Sequence, residues 1–136
     1  LKLGSKNVSR ILNSGVKPAA MYGTPVTGMD NSKISILRTV YHTALHKNAK
    51  SRSCTVDLSL DGPGVDPTYE AIMTPLMAWH AAVWDSLLPL AVILRAMSTA
   101  TYQARRGSFT NRGPSSAAVR ALHEIGWNAK GLLIWE

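Results

Sequence analysis

A segment rich in glycine and proline, residues 14–28, most constrains the fold, because no single helix or strand can run through it. Gly15 is predicted to close a preceding helix in the left-handed conformation, and Pro18 to begin a short helical turn. The turn is predicted to end near Tyr22, packed into it in preference to stacking on a base. Pro25 should then force an extended exit. The segment is therefore expected to form a rigid elbow between two helices.

Apolar periodicity along the rest of the chain predicts a fold that is mainly α, an irregular helical domain of about five helices with one or two short extended segments. Capping residues and spacing favour helices over residues 5–14, 30–45, 66–88, 89–103 and 117–125. Asp66 and Pro67 give a strong helix start, and Pro75 is expected to restart or kink that helix. Residues 54–60 alternate apolar and polar side chains, which predicts a strand or an extended arm.

The most apolar window, residues 71–94, is predicted to form a buried helical hairpin. It contains Pro75, His80, Asp85 and Pro89, whereas a membrane-spanning helix needs about 20 nearly uninterrupted apolar residues. We therefore expect no membrane partner. Trp79 and Trp84 lie in this window, and both are predicted to be core residues.

Charge is distributed unevenly along the chain, whose formal net charge is +7. Residues 1–52 carry nine Lys and Arg against one acid, whereas residues 53–100 carry five acids against one Arg. The pattern predicts a basic helical segment with an elbow (1–52), an acidic and aromatic helical scaffold (53–127) and the start of a truncated following element (128–136). Such segregation favours a polyanionic partner, with an ordinary solvated basic face as the alternative.

Binding to nucleic-acid phosphates requires Lys and Arg on a common surface and little else. The candidate nucleic-acid-binding residues are the basic side chains of the first segment, namely Lys6, Arg10, Lys17, Lys33, Arg38, Lys47, Lys50 and Arg52.

The sequence predicts no catalytic residue, metal site or cofactor in this chain. It lacks adjacent aspartates and the glycine-rich or serine motifs of phosphate-binding loops and hydrolases. His42 and His46, four residues apart, could share a zinc ion with Cys54 and Asp57, but the missing Cys pair and the adjacent basic loop disfavour this. Asp66 is predicted to be a helix cap, not a metal ligand. The single cysteine excludes an internal disulfide and is compatible with a reducing compartment.

Several short motifs resemble the region after the palm in reverse transcriptases of non-LTR (LINE-type) retroelements, in the style of those found in dinoflagellates. The main one, at residues 14–23, is similar to the Gly-x-x-Pro-Ala-x-x-Tyr/Trp-Gly segment of that family. Weaker similarities, in the family's order, lie at Val26-Thr27-Gly28, residues 56–60, Val65-Asp66-Pro67, the helix with Trp79 and Trp84, Gly113-Pro114 and residues 122–127.

The resemblance implies that the chain is a non-catalytic thumb and connection fragment that binds the backbone of an RNA–DNA template-primer. The parent protein would be an RNA-directed DNA polymerase that uses Mg²⁺, the palm domain would be a second partner, and the location would be intracellular, cytoplasmic or nuclear. The start at Leu1 and the apolar run at 132–135 fit a piece of a longer protein. The alternative function is a helical protein-interaction module that uses the 71–94 hairpin and does not bind nucleic acid.

Overall fold

The fold was analysed in a computed structural model, which describes residues 4–46, 48–62, 64–106 and 113–127. Within these ranges no strand occurs, and the mainly α fold class is confirmed. A π-helical turn, Leu12–Val16, follows the first helix, and a 3-10 turn, Ala49–Ser51, precedes the fifth. The α-helices are α1 (Ser5–Ile11), α2 (Lys17–Ala20), α3 (Thr24–Thr27), α4 (Asn31–Leu45), α5 (Cys54–Leu60), α6 (Pro67–Trp84), α7 (Leu90–Arg105) and α8 (Pro114–Glu124).

Contacts group the chain into two compact units. Unit 1 comprises the described residues of 1–22 and 29–71, and unit 2 those of 23–28 and 72–136. Helix α6 begins in unit 1 and continues in unit 2. The segments 1–52 and 53–127 were predicted from the distribution of charge and not from contacts, so they stay a prediction. The segment 128–136 lies outside the described residues.

The core of unit 1 is built around helix α4, and Val8 of α1 packs against it. The apolar stripe predicted for residues 30–45 lies at this core, where Leu37 and Tyr41 are buried and Ile34 is partly buried. Burying a side chain of this size stabilises the fold by about 1.5–3 kcal/mol. The buried residues of the cluster are Leu12, Met21, Met29, Leu37, Tyr41, Leu58 and Ala71.

Tyr41 anchors the π-helical turn that follows α1. Its hydroxyl donates a hydrogen bond to the Leu12 carbonyl oxygen at 3.1 Å and lies 3.4 Å from Asn13 Oδ1. The side chain is 1% exposed, and this burial, assisted by the carboxylate of Glu70, raises the pKa of Tyr41 to about 12. The phenol therefore stays protonated and satisfies a carbonyl at a site where the α-helical hydrogen-bond pattern is interrupted.

The elbow forms as predicted in part only. A left-handed glycine, Gly23, follows Tyr22 with φ of 81°, so the helical turn ends where predicted. Pro18 does not begin this turn, because α2 starts at Lys17 and follows the π-helical turn without a break. Three further details were wrong. Gly15 lies inside the π-helical turn, Pro25 lies in the first turn of α3, where its fixed φ suits a helix, and the Tyr22 side chain is 93% exposed.

The predicted strand over residues 54–60 was wrong, because the segment is helix α5. Ser53 caps it by accepting a hydrogen bond from the Val56 amide. The alternating pattern misled because a segment of seven residues also places positions 54 and 58 on one helical face. Leu58 is completely buried on that face, while Leu60 is 76% exposed.

In unit 2, helix α7 packs against α8 around a core of Met97, Ala100 and Val119, and Trp79 of α6 packs against this core. The core position of Trp79 is confirmed, but that of Trp84 was wrong, since its side chain is 78% exposed. Helix α6 continues through Pro75 without a restart. Asp66 caps its start as predicted, since its Oδ1 accepts a hydrogen bond from the Thr68 amide at 2.9 Å.

Candidate functional site

The polar contacts of unit 1 concentrate where α4 meets α5. Cys54 Sγ lies 3.8 Å from the Arg38 carbonyl oxygen, His42 Nε2 lies 2.7 Å from Asp57 Oδ2, and His46 Nε2 lies 2.8 Å from Asp61 Oδ2. From one contact to the next, the residue numbers rise on both sides, so α5 runs in the same direction as the second half of α4. Three successive polar contacts therefore hold the two helices in register.

The middle contact, between His42 and Asp57, is the most buried. The two side chains are 7% and 3% exposed, and Arg52 reaches the other carboxylate oxygen of Asp57 at 2.6 Å. The hydrogen bond from His42 is the main cause that lowers the pKa of Asp57. The Arg52 charge adds to it, and together they outweigh burial, which would raise the pKa. Asp57 is therefore a buried carboxylate that stays ionised.

The outer contact, between His46 and Asp61, is more open, with Asp61 31% exposed. The two imidazole rings lie 5.3 Å apart and are tilted by 51°. Each imidazole bonds to its own carboxylate, so the two histidines do not converge on one point. In the part of the chain that the structure describes, there is no group of three or more His, Cys, Asp or Glu side chains placed to hold a metal ion.

Two further ion pairs join the predicted basic segment to the start of α6. Arg38 bonds to Asp66 Oδ2 at 3.0 Å and to Thr55 Oγ1 at 3.1 Å. Lys17 pairs with Glu70, and its Nζ donates to the Gly64 carbonyl oxygen at 3.1 Å. These contacts fix the position of α6 within unit 1.

The charge segregation along the sequence is therefore not a segregation in space. Four acids from the predicted acidic scaffold lie in unit 1 against basic or histidine partners, namely Asp57, Asp61, Asp66 and Glu70. The sequence of unit 1 has nine Lys and Arg and five Asp and Glu, a formal net charge of +4 with neutral histidines. The field toward a polyanion is weaker than the first 52 residues alone indicate.

The predicted nucleic-acid-binding residues fall into two groups. Lys17, Arg38 and Arg52 are engaged in ion pairs within unit 1, and Lys47 lies outside the described residues. The second group is solvent-exposed and has no ion pair with any described residue. It consists of Lys6, Arg10, Lys33 and Lys50.

An open cleft of about 700 Å³ adjoins Asp66 in unit 1. Its described lining consists of Leu58, Ser59, Gly62, Gly64, Asp66 and Tyr69. Asp66 already accepts hydrogen bonds from Arg38 and from the Thr68 amide. The carboxylate in this lining is thus used to hold the fold together.

No protein-family model, curated protein or solved structure matches this chain. The resemblance to retroelement reverse transcriptases accordingly stays a prediction. Sequence reasoning considered His42 and Asp57 only as metal ligands and missed the paired contacts between α4 and α5. The signal in the sequence was the matching spacing of His42 and His46 and of Asp57 and Asp61, each pair four residues apart. This spacing indicates paired contacts between two helices only if residues 54–61 are taken as helical.

Unit 2 carries an exposed apolar tip where the turn between α6 and α7 lies, so the prediction that residues 71–94 form a buried hairpin was wrong for this part. Trp84, Leu87 and Leu90 are 78%, 70% and 66% exposed. The imidazole of His80 stacks on the Trp84 indole, with ring centroids 5.9 Å apart and 17° between the planes. None of the helices in the described part of the chain has the length and apolar character needed to cross a membrane.

Proposed function

We propose that this chain is a non-catalytic helical part of a non-LTR retroelement reverse transcriptase that binds the sugar-phosphate backbone of an RNA–DNA template-primer. The observation that supports this most directly is the exposed group of Lys6, Arg10, Lys33 and Lys50 in unit 1, which forms no ion pair with any residue that the structure describes. Exposed cations of this kind can neutralise phosphates without breaking a contact seen among the described residues. Lys17, Arg38 and Arg52 then have a structural role.

One pair of these cations has a spacing that suits contact with a nucleic-acid backbone. Lys6 and Arg10 are one helical turn apart on α1, which packs against α4, the helix that carries Lys33. Lys50 follows in the 3-10 turn after α4. Phosphate contacts of this kind hold a duplex without reading its bases, which a polymerase needs because the duplex must slide.

The resemblance supplies the rest of the proposal. Catalysis and Mg²⁺ would belong to the parent RNA-directed DNA polymerase, the palm domain would be the second partner, and the location would be intracellular, cytoplasmic or nuclear.

The test is binding of the chain to a fluorescein-labelled RNA–DNA hybrid, measured by anisotropy between 0.05 and about 0.3 M salt. Removing two phosphate contacts with the double variant K6Q/R10Q should reduce the slope of log affinity against log salt by about 2. We expect affinity at 0.1 M salt to fall by more than about tenfold. The matched control is R95Q/R106Q, two exposed cations of unit 2, which lowers the net charge equally.

Far-UV circular dichroism should show the same helix content in the wild type and both variants. A folded wild type that does not bind the hybrid at low salt would overturn the proposal. Equal losses in the two double variants would also overturn it, because they would show that net charge alone, and not the unit 1 cations, governs binding.

The alternative, a helical protein-interaction module, is favoured by the exposed apolar tip of unit 2. Trp84, Leu87 and Leu90 lie within residues 71–94, the segment predicted as a hairpin, and exposed apolar residues grouped in this way often mark a protein interface. In contrast to phosphate binding, an apolar interface should barely respond to salt.

Self-association through the tip is one form of this alternative that can be tested directly. We expect sedimentation velocity to show concentration-dependent association that persists at about 0.5 M salt and is lost in L87S/L90S. The control is L60S, which alters an equally exposed leucine in unit 1. A wild type that remains monomeric at every concentration would contradict self-association.

A further inference from the structure

Helix α7 presents to solvent a basic and aromatic face whose residues are not among the nucleic-acid-binding candidates predicted from the sequence. Arg95, Thr99, Tyr102 and Arg106 follow one another at intervals of four, three and four residues, which places them on one side of the helix. All four are exposed, and Tyr102 is 58% exposed. We call this side the α7 outer face.

The opposite side of α7 is the one that holds unit 2 together. Ile93, Met97 and Ala100 are no more than 6% exposed there. Because burial fixes the rotation of the helix, the α7 outer face is a defined surface. Its side chains are not needed for the core, so they are available for binding.

The chemistry of this face combines a flat ring with cations. The Arg106 guanidinium carbon lies 5.0 Å from the centroid of the Tyr102 ring, which is within cation–π distance. Helix α7 contains no Asp or Glu, so no carboxylate on the helix itself neutralises Arg95 or Arg106. Neither arginine forms an ion pair with another described residue.

We infer that the α7 outer face binds single-stranded nucleic acid, with an unpaired base stacked on Tyr102 and backbone phosphates on Arg95 and Arg106. A tyrosine can stack only on a base that is unpaired, so this ligand differs from the duplex proposed for unit 1. Arg95 and Arg106 are separated by about 16 Å along the helix, enough for about five stacked nucleotides.

This inference deepens the proposed function, on which it rests for the class of ligand. The duplex would be held by the unit 1 cations, and an unpaired strand by the α7 outer face. A polymerase fragment has use for both, because its template is single-stranded before it is copied. Binding of the two ligands can be lost separately, and this separates the two proposals.

The experiment measures anisotropy of a fluorescein-labelled single-stranded RNA of 12 nucleotides, at 0.1 M salt, with the full chain. We expect Y102A to lower affinity about 30-fold, the middle of the range for loss of one base–aromatic stack. Y102F keeps the ring and should bind as the wild type does. R95Q/R106Q should lower affinity by more than about tenfold through lost phosphate contacts.

Two controls keep the result specific to this face. Y69A removes a tyrosine of unit 1 that is 65% exposed and should leave single-strand affinity within about twofold of the wild type. K6Q/R10Q makes the same charge change in the phosphate-binding group of unit 1 and should lower single-strand affinity less than R95Q/R106Q does. Wild-type affinity in Y102A, or an equal loss in Y69A, would overturn the inference.

The RNA–DNA hybrid measurement then separates the two proposals. Loss of single-strand binding in Y102A with intact hybrid binding supports the α7 outer face as a distinct site. A folded wild type that binds the hybrid but not the single strand overturns the α7 inference and leaves the proposed function standing.

Discussion

Leu58→Ala is expected to lower the free energy of unfolding by about 3 kcal/mol, because it removes a large side chain from the core of unit 1 and leaves a cavity. Leu58 is 0% exposed and belongs to the buried cluster with Leu37 and Tyr41. Urea denaturation followed by far-UV circular dichroism would measure the change. A loss of this size is a large part of the stability of a small domain, about 5–15 kcal/mol.

Leu60→Ala is the matched control, because Leu60 lies two residues further along the same helix and is 76% exposed. Its effect should stay within about 0.5 kcal/mol, the usual range for a surface substitution. The pair also tests the local structure. In a strand, positions 58 and 60 would face the same side and both substitutions would cost similar free energy. Similar losses would contradict helix α5.

The long elements of this fold could be predicted from the sequence because their signals are local. The stripe of Leu37 and Tyr41 and the Asp66-Pro67 start of α6 each follow from spacing or from one residue's backbone preference. Segment 54–60 could not be assigned in this way. Seven residues are too few to separate periods of two and 3.6, and contacts with α4 decide the outcome.

The candidate site was predictable in composition and not in arrangement. Sequence position placed Arg38 and Arg52 in a basic segment and Asp57 and Asp66 in an acidic one, and the fold then paired them. Pairing between distant positions depends on how helices pack, which charge counting does not contain. The same reason explains Trp84, whose apolar character predicts burial although the end of α6 leaves it exposed.

Asp57→Asn is expected to destabilise the chain strongly, since it removes the negative charge that His42 and Arg52 share. Asp57 has two polar contacts shorter than 3 Å, a hydrogen bond with His42 at 2.7 Å and an ion pair with Arg52 at 2.6 Å, and its side chain is only 3% exposed. Removing one member of a buried pair leaves the remaining polar or charged group without its partner, and this costs more free energy of folding than the intact pair contributes. Thermal unfolding at pH 7 should show a midpoint lower by several degrees.

Asp61→Asn makes the same chemical change in the pair of the next helical turn. Asp61 is 31% exposed, so water screens its contact with His46 and compensates for its loss. We expect the unfolding midpoint of this variant to stay close to that of the wild type. Equal effects of the two substitutions would contradict the special role of the buried pair.

The lowered pKa of Asp57 also predicts a specific dependence on pH. At a pH near 3.8, the ordinary pKa of an aspartate, the Asp57 carboxylate takes up a proton in the unfolded chain but remains ionised in the folded chain. The unfolded state then binds more protons, so stability falls as pH is lowered. The contribution of Asp57 is complete above about pH 5 and is lost as pH falls through the folded pKa. Asp57→Asn should therefore flatten the stability profile below pH 5, and an unchanged acid slope would show that other carboxylates govern acid unfolding.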